Sequence, residues 1–332
     1  MPAHRQSARL LTTVPPCSVE LIGRSPAIGR IQELVQQTAI LESSVLLVAE
    51  PGIDAESVAL DLHRSSRLPM APWIVADCGS EGPQLELTLF GATPPGPTDL
   101  ETVTSDSLIA GARGGTLFLR DVTDLPSSLQ ARLTRILRDG EMRIQGEPVN
   151  VAFRVVASAP PSIDSDVHEH RFRSDLCRRL AVTRIDLPPL RDRLADVPAC
   201  AERILHDICA RSGSPPRAFT QPALALLAAL NWPGNLAELR AAIECVAAET
   251  RQDPIQVEQV LPVLRLEHAV APFVPAGNLR EARTRFERDY IAAVLQHHGW
   301  RMADAAQTLG IQRPNLYRKA RQLGIPVARA TE

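Results

Sequence analysis

The chain has 332 residues, of which 45% are hydrophobic and 22% charged, and its formal net charge is −2. This composition excludes a disordered chain and indicates two or three domains, while the near-neutral charge means that any nucleic-acid binding needs a local basic patch. The six cysteines form no C-x-x-C pair, and no apolar run is long enough to span a bilayer. We therefore expect free thiols, no metal site, no membrane partner and a cytoplasmic, nucleoid-associated location.

The first two thirds of the sequence predict an α/β domain. Residues 1–20 mix Pro, Ser, Thr and Arg without a period, which predicts a flexible arm and no sensory domain. Ser25 is placed to cap a helix that begins at Pro26, and strands and helices alternate from there to residue 186. The predicted strands are Val45–Ala49, Trp73–Ala76, Gly114–Leu119 and Val151–Ala157, with a surface loop over residues 92–104.

The first strand leads through the turn Glu50–Asp54 into a helix, an arrangement that seats nucleotide phosphates on backbone N–H groups. The corresponding motif, G-x-x-x-x-G-K-[ST], needs glycines for close approach, a lysine at the β- and γ-phosphates and a hydroxyl at Mg²⁺. Here Ala49 and Asp54 stand in place of the glycines, and Ala55 stands in place of the lysine. The only lysine of the chain is Lys319, and the Asp54 carboxylate would repel a polyphosphate.

The strand Gly114–Leu119 ends in Arg120 and Asp121. In a P-loop ATPase, a strand of this kind presents an Asp to Mg²⁺ and a Glu to the attacking water. A cation at the Mg²⁺ position favours an ion pair between Arg120 and Asp121 over metal binding. The candidate nucleotide site therefore has the frame of such a site without its working residues, and its members are Glu50, Gly52, Asp54, Ala55, Glu56, Arg120 and Asp121.

The last third of the sequence predicts helices only. The proline-rich segment Leu187–Arg193 marks a domain boundary. Helices predicted over residues 197–211, 222–230 and 236–249 indicate an all-α subdomain, residues 187–265, and a linker over 266–278 follows it.

Residues 279–332 predict a DNA-binding domain. An amphipathic helix, Leu279–His297, precedes two helices joined by a turn at Gly310. Between residues 301 and 323, five basic residues stand against one acidic residue, and this imbalance favours DNA binding over a plain three-helix packing module. The candidate DNA contacts are Arg301, Gln312, Arg313, Asn315, Tyr317, Arg318 and Lys319.

With these elements in line, the sequence resembles the bacterial enhancer-binding proteins, which are AAA+ activators of sigma-54 RNA polymerase. The resemblance implies an AAA+ P-loop-type α/β core with a parallel sheet, an all-α lid and a Fis-like helix–turn–helix domain. It also implies ring hexamers whose ATP hydrolysis remodels a promoter complex. It covers nearly all of the chain after residue 20, with landmarks at Leu21–Ser25, Glu86–Gly91, Gly114–Leu119, Phe172–Leu180, Leu187–Arg193, Trp232–Leu239 and Leu316–Lys319.

The sequence departs from the family at the working positions of the motor. Ala55 replaces the lysine, Arg120 the Mg²⁺-binding Asp, Pro160 the sensing Asn, and Ala237 the arginine that reaches the nucleotide from the lid. Together these losses remove most of the electrostatic stabilisation of phosphoryl transfer. We expect little or no ATPase activity, no required cofactor and at best weak ATP binding.

Of two further family features, the sigma-54-contacting loop is altered and the pair of subunit-interface arginines is present. The loop that contacts sigma-54 in the family reads Pro95-Gly96-Pro97-Thr98-Asp99-Leu100 here, without an aromatic tip. Arg173 and Arg179, which match the arginines that reach a neighbouring subunit's ATP, are both present.

The leading hypothesis is a DNA-binding transcriptional regulator in which a degenerate AAA+ core serves as an assembly and sensing scaffold. Its expected partners are double-stranded DNA, RNA polymerase holoenzyme or a related AAA+ regulator, and further copies of itself as a dimer or higher oligomer. Three alternatives remain: a pseudo-ATPase subunit of a mixed ring, a true ATP-dependent sigma-54 activator, and a sensor that binds another ligand, such as a cyclic dinucleotide, in the emptied cleft.

Overall fold

The structure is a computed structural model that describes residues 18–92 and 100–269, the isolated residues 291, 295, 302 and 306, and residues 313–323. It divides into two compact units, residues 1–266 and 267–332.

A five-stranded parallel sheet forms the centre of the first unit, with strand order β2-β4-β7-β1-β8. A smaller sheet of order β3-β5-β6 lies beside it. The strands are β1 (Val45–Val48), β2 (Trp73–Asp77), β3 (Thr102–Val103), β4 (Thr116–Arg120), β5 (Glu141–Ile144), β6 (Glu147–Asn150), β7 (Arg154–Ala159) and β8 (Thr183–Asp186).

Helices cover both faces of the central sheet, so that its inner strands β1, β4 and β7 are buried along almost their whole length rather than on alternate residues. In β1, Leu46 packs into one core cluster and Leu47 into the other, because successive side chains of a strand point to opposite faces. The helices of this part are α1 (Pro26–Ala39), α2 (Ala55–Arg64), α3 (Gly82–Leu89), α4 (Leu108–Gly111), α5 (Ser127–Asp139), α6 (Ile163–His168) and α7 (Ser174–Leu180).

A helical lid completes the first unit. A 3-10 segment, Leu190–Asp196, leads into it, and the lid has its own core around Leu205, Leu239 and Ile243. Its helices are α8 (Val197–Ser212), α9 (Gln221–Ala228), α10 (Asn235–Glu249) and α11 (Val257–Ala269). In the second unit the described helix is α12 (Arg313–Gln322).

The predicted helix start at Ser25 is confirmed. The Ser25 hydroxyl accepts a hydrogen bond from the N–H of Ile28 at 3.3 Å, and Pro26 occupies the first helical position. This is the arrangement that a serine cap followed by proline predicts, because proline lacks the N–H that would otherwise be left unbonded.

Several sequence-based boundaries were wrong. Ser18–Glu20 belong to the folded core rather than to a loose arm, because Glu20 is buried. The predicted surface loop 92–104 contains β3 and the buried Glu101, and the predicted linker begins too early, since α11 continues to Ala269. The antiparallel pair β5–β6 and the edge strand β8 were missed because these strands alternate with charged residues and lack a long apolar run.

Within the described residues, no helix is both long and apolar enough to cross a bilayer.

Candidate functional site

A cleft of about 470 Å³ opens at the carboxyl ends of β1, β4 and β7. Ligands of open α/β sheets bind at this edge, where the loops that follow neighbouring strands meet. The structure brings together there all seven residues of the predicted nucleotide site. The lining residues are Ala49–Glu56, Arg120, Asp121, Thr123, Asp124 and Ser158–Pro160.

Several backbone N–H groups in and just after the loop that follows β1 are already engaged within the protein. The N–H of Ile53 donates to the Glu50 carbonyl at 3.2 Å, and that of Ala55 donates to the Ile53 carbonyl at 3.1 Å. The N–H of Ser57 donates to the Asp54 side chain at 3.1 Å, so Asp54 caps α2 at the place where a phosphate would lie. A phosphate would have to displace these internal acceptors.

Glu20 supplies another internal acceptor, which the sequence analysis missed. Its carboxylate accepts the N–H of Asp54 at 2.7 Å and an Nη2–H of Arg193, also at 2.7 Å. Both side chains are almost fully buried. Burial raises the pKa of Glu20, and the hydrogen bonds from Asp54 and Arg193 oppose that rise. The only clue available in the sequence was an acidic residue between two apolar ones, which does not distinguish a buried carboxylate from an exposed one.

Arg120 occupies the predicted metal position, but its ion-pair partners differ from those expected. Its guanidinium pairs with Glu56, the second residue of α2, and with Asp77 at the end of β2, 3.1 Å away. The expected pair with Asp121 was wrong: Arg120 is the last residue of β4 and is engaged by Glu56 and Asp77, whereas Asp121 lies beyond the strand in a left-handed conformation. The hydrogen bond to Glu56 is the main cause that raises the pKa of Arg120.

Carboxylates dominate the rest of the cleft. Asp121 adopts a left-handed conformation, with φ of 52°, and its N–H donates to the Ser158 hydroxyl at 2.9 Å. Burial raises its pKa, and the nearby charges of Asp124 and Asp77 raise it further. The buried thiol of Cys78 lies close to these groups, and burial together with the same three carboxylates raises its pKa to about 12.

Magnesium–ATP does not fit these residues. The cleft is lined by five carboxylates and a single guanidinium, which repel a triphosphate. The loop supplies no lysine, the N–H groups of Ile53, Asp54 and Ala55 already have acceptors, and Arg120 fills the position of the metal ligand. Among the described residues, no group of His, Cys, Asp and Glu side chains is arranged to hold a metal ion.

The two arginines predicted to face a neighbouring subunit lie at α7, away from this cleft. Arg173 forms a two-point ion pair with Asp175, at 3.0 and 2.7 Å, and its side chain is 47% exposed. Arg179 donates to the Leu137 carbonyl of α5 at 3.3 Å. The side chain of Gln130, also on α5, accepts the N–H of Arg173, so both arginines are positioned against one helix.

In the second unit, α12 presents several of the predicted DNA contacts. Arg313, Asn315 and Arg318 are exposed, whereas Leu316 and Ala320 are fully buried in a small core. Arg318 donates to Asn315 at 3.3 Å, and the Arg313 guanidinium lies 6.0 Å from the ring centre of the half-buried Tyr317. Lys319 is half-buried. Arg301, Gln312 and the segment 95–99 lie outside the described residues.

Comparisons with known proteins agree with this division of the chain. Residues 21–186 match the sigma-54 interaction domain, residues 191–272 the AAA+ ATPase lid domain, and residues 282–323 the Fis family of bacterial regulatory proteins. The chain belongs to the sigma-54-dependent family of DNA-binding transcriptional regulators. The predicted fold class, a parallel-sheet AAA+ core with a helical lid and a helix–turn–helix domain, is confirmed.

Its relatives are longer regulators. The nitrogen assimilation regulatory protein NtrX of Azorhizobium caulinodans is 30% identical over 318 residues, covering 92% of this chain and 69% of that protein. The alginate biosynthesis transcriptional regulatory protein AlgB of Pseudomonas putida is 32% identical over 308 residues, covering 92% and 67%. This family member thus spans about two thirds of the length of these relatives.

Solved structures give the same fold. NtrX from Brucella abortus in complex with ATP is 28% identical, with a TM-score of 0.65 over 91% of this chain and 69% of that one. The same protein in complex with ADP is 29% identical, with a TM-score of 0.63 over 92% and 69%. A RuvB variant from Thermotoga maritima, at 15% identity and a TM-score of 0.52 over 93% of this chain and 91% of that one, is similar in fold alone.

Proposed function

We propose that this member of the sigma-54 regulator family binds specific DNA sites without acting as an ATP-driven motor. In this proposal the AAA+ core is an assembly scaffold, and α12 with its neighbouring residues reads the DNA. The observation that supports it most directly is the state of the cleft, where Asp54, Glu20 and Arg120 take the places of phosphate and metal. Its proposed binding partners are double-stranded DNA, RNA polymerase holoenzyme and further copies of itself.

NtrX is the relative with which the nucleotide cleft of this chain can be compared. NtrX from Brucella abortus has been crystallised with ATP and with ADP. Transfer of that property to this chain would require a phosphate cradle, and the loop here has acidic side chains where a cradle needs N–H groups and a lysine. A sensor of cyclic dinucleotides in the same cleft meets the same electrostatic objection, because such ligands are also anionic.

ATP binding and hydrolysis by the purified chain test the motor part of the proposal. We expect neither binding of a fluorescent ATP analogue nor phosphate release above background, with or without a promoter fragment. Brucella abortus NtrX would serve as the reference for analogue binding. Hydrolysis that co-elutes with the protein through successive purification steps would contradict the proposal and favour a true ATP-dependent activator.

DNase footprinting on genomic fragments tests the DNA-binding part. The Arg313→Ala/Arg318→Ala variant is expected to lose the protected region, because it removes two exposed cations from one helix. Arg211→Ala/Arg251→Ala, which removes two exposed arginines from the lid, is the matched control. Protection that survives in the α12 variant would exclude the assigned role of these residues.

A second candidate function, a non-hydrolysing subunit of a mixed ring, is supported by Arg173 and Arg179. Their guanidinium groups remain although the chain's own cleft gives them no nucleotide to act on. Co-expression with an active AAA+ paralogue would be expected to yield a mixed complex, whose ATPase rate falls in Arg179→Ala. Arg178→Ala is the control, since Arg178 bonds only its own helix at Ser174. Failure of the two proteins to co-purify would exclude this role.

A further inference from the structure

The loop Glu50–Asp54 contacts the lid along nearly its whole length. At its start, both carboxylate oxygens of Glu50 accept hydrogen bonds from the Arg191 guanidinium, at 2.6 and 2.7 Å. Arg191 lies in the 3-10 segment that leads into the lid. Two-point pairs of this kind fix orientation as well as distance.

The middle of the loop is bonded to the first turn of α10. The buried Asn235 side chain accepts the N–H of Leu190 and donates to the Pro51 carbonyl, both at 2.9 Å. The N–H of Ala237 donates to the Gly52 carbonyl at 3.0 Å. Gly52 has φ of 85°, and a Cβ there would lie 2.1 Å from the Gly234 carbonyl oxygen, so only glycine permits this approach.

The end of the loop reaches the lid through Glu20, which links the N–H of Asp54 to Arg193. A neighbouring contact also joins the core to the lid: the Asp196 carboxylate accepts hydrogen bonds from the N–H groups of Arg24 and Ser25, at 2.8 and 2.9 Å. The lid is thus bonded both to the loop and to the segment that precedes α1. Hinged domains commonly close around a ligand, and here the protein itself supplies the closing contacts.

We propose that Glu50–Asp54 is a latch that holds the lid against the core without nucleotide. This inference rests on the proposed function, since the loop can serve as a latch only where it does not serve phosphate. The latch consists of the Glu50–Arg191 pair, the Asn235 bridge and the Gly52–Ala237 hydrogen bond. It makes the arrangement of core and lid independent of ATP, and so fixes the surface that the first unit offers to neighbouring subunits.

Hydrogen–deuterium exchange of the full chain tests the latch. In Glu50→Gln/Arg191→Met, the amides of residues 51–57 and 235–240 are expected to exchange about two- to fivefold faster than in the parent chain. Arg211→Met/Glu244→Gln is the matched control, because it removes an exposed pair of similar length, 2.9 Å, that lies wholly within the lid. The control is expected to leave both peptides unchanged.

Addition of ATP separates this inference from the proposed function. The parent chain is expected to show the same exchange with and without ATP. Unchanged exchange in the latch variant would overturn the latch while leaving the absence of ATP binding intact. Protection of residues 51–57 by ATP in the parent chain would instead overturn the proposed function. Gly52→Ala tests the latch in a second way, because the added Cβ would clash with the Gly234 carbonyl and push the loop away from α10. Unchanged exchange at residues 235–240 in this variant would count against the latch.

Discussion

The nucleotide cleft and α12 have opposite charges although the chain as a whole is nearly neutral. The cleft is lined by five carboxylates and one guanidinium. The ten residues of α12 include four basic residues and no acidic one. Both regions occur in one family whose members combine an AAA+ core with a DNA-binding domain. The charge of the cleft is therefore unfavourable to a phosphate-bearing ligand, whereas the charge of α12 is favourable to one.

The charged residues of the two regions also differ in whether they are bonded within the protein or exposed to solvent. In the cleft, Glu50, Asp54 and Arg120 each bond another part of the protein. On α12, Arg313 and Arg318 are exposed, and the helix is anchored by the buried Leu316 and Ala320. Charged groups that are paired within the protein contribute to its fold, whereas exposed charges of one sign are available to a binding partner of opposite charge.

The largest expected effect concerns the internal support of the cleft. Glu20→Ala leaves Arg193 buried without its carboxylate, so we expect a loss of about 3–5 kcal/mol in the free energy of unfolding of the first unit. Urea unfolding followed by fluorescence measures it, because Trp73 and Trp232 lie in that unit. Glu20→Leu/Arg193→Met should recover much of the loss. A loss below about 1 kcal/mol would show that Glu20 is not the structural anchor that its contacts indicate.

The next largest effect is expected for DNA binding by α12. Arg313→Ala alone is expected to weaken binding to a specific site by about 1–3 kcal/mol, since it removes one guanidinium from the exposed face of α12. Fluorescence anisotropy at a fixed salt concentration measures the change, with Arg211→Ala as the control for net charge. Equal weakening by both variants would mean that general electrostatics, rather than α12, governs the affinity.

The sequence predicted most of the fold because the buried strands and amphipathic helices have clear periods. The strand before the loop, predicted as Val45–Ala49, is observed as Val45–Val48. The seven predicted cleft residues meet because parallel strands bring their carboxyl ends to one edge. The pairing of Arg120 with Glu56 and Asp77 could not be predicted, since it joins α2, β2 and β4 across more than forty residues.

Glu20 illustrates the same limit more strongly. Its partner Arg193 is 173 residues away in sequence, and Glu20 itself lies outside every motif named in the sequence. Local periodicity predicts which face of an element is buried, but it contains no information about which charge on a distant segment will be buried with it. The sequence-based picture of an emptied site was therefore incomplete, because internal groups fill it.

A smaller effect is expected from substitutions that introduce the missing lysine and metal ligand into the cleft. Asp54→Gly, Ala55→Lys and Arg120→Asp together should raise ATP affinity by about tenfold or more, because they remove one repelling charge and supply the lysine and metal ligand. Ala55→Lys alone should give no gain, since Asp54 still caps α2 and Arg120 still fills the metal position. Calorimetry with Mg²⁺ and ATP compares the two variants. Tight ATP binding by Ala55→Lys alone would show that the internal contacts do not block the site.

The smallest effect is a dependence of stability on pH that arises at the start of the loop. The hydrogen bonds from Arg191 hold the pKa of Glu50 below its ordinary value of 4.5. A carboxyl whose pKa is lower in the folded state stabilises the fold above its unfolded pKa, and this contribution is lost as the pH falls through the folded value. Thermal unfolding between pH 6 and about pH 3 should therefore show a slightly steeper loss in the parent chain than in Glu50→Gln. Because the pair is partly exposed, added salt should reduce the difference. Identical pH profiles for the two proteins would mean that the Glu50–Arg191 pair adds nothing to stability, and that the loop is held by Asn235 and Gly52 alone.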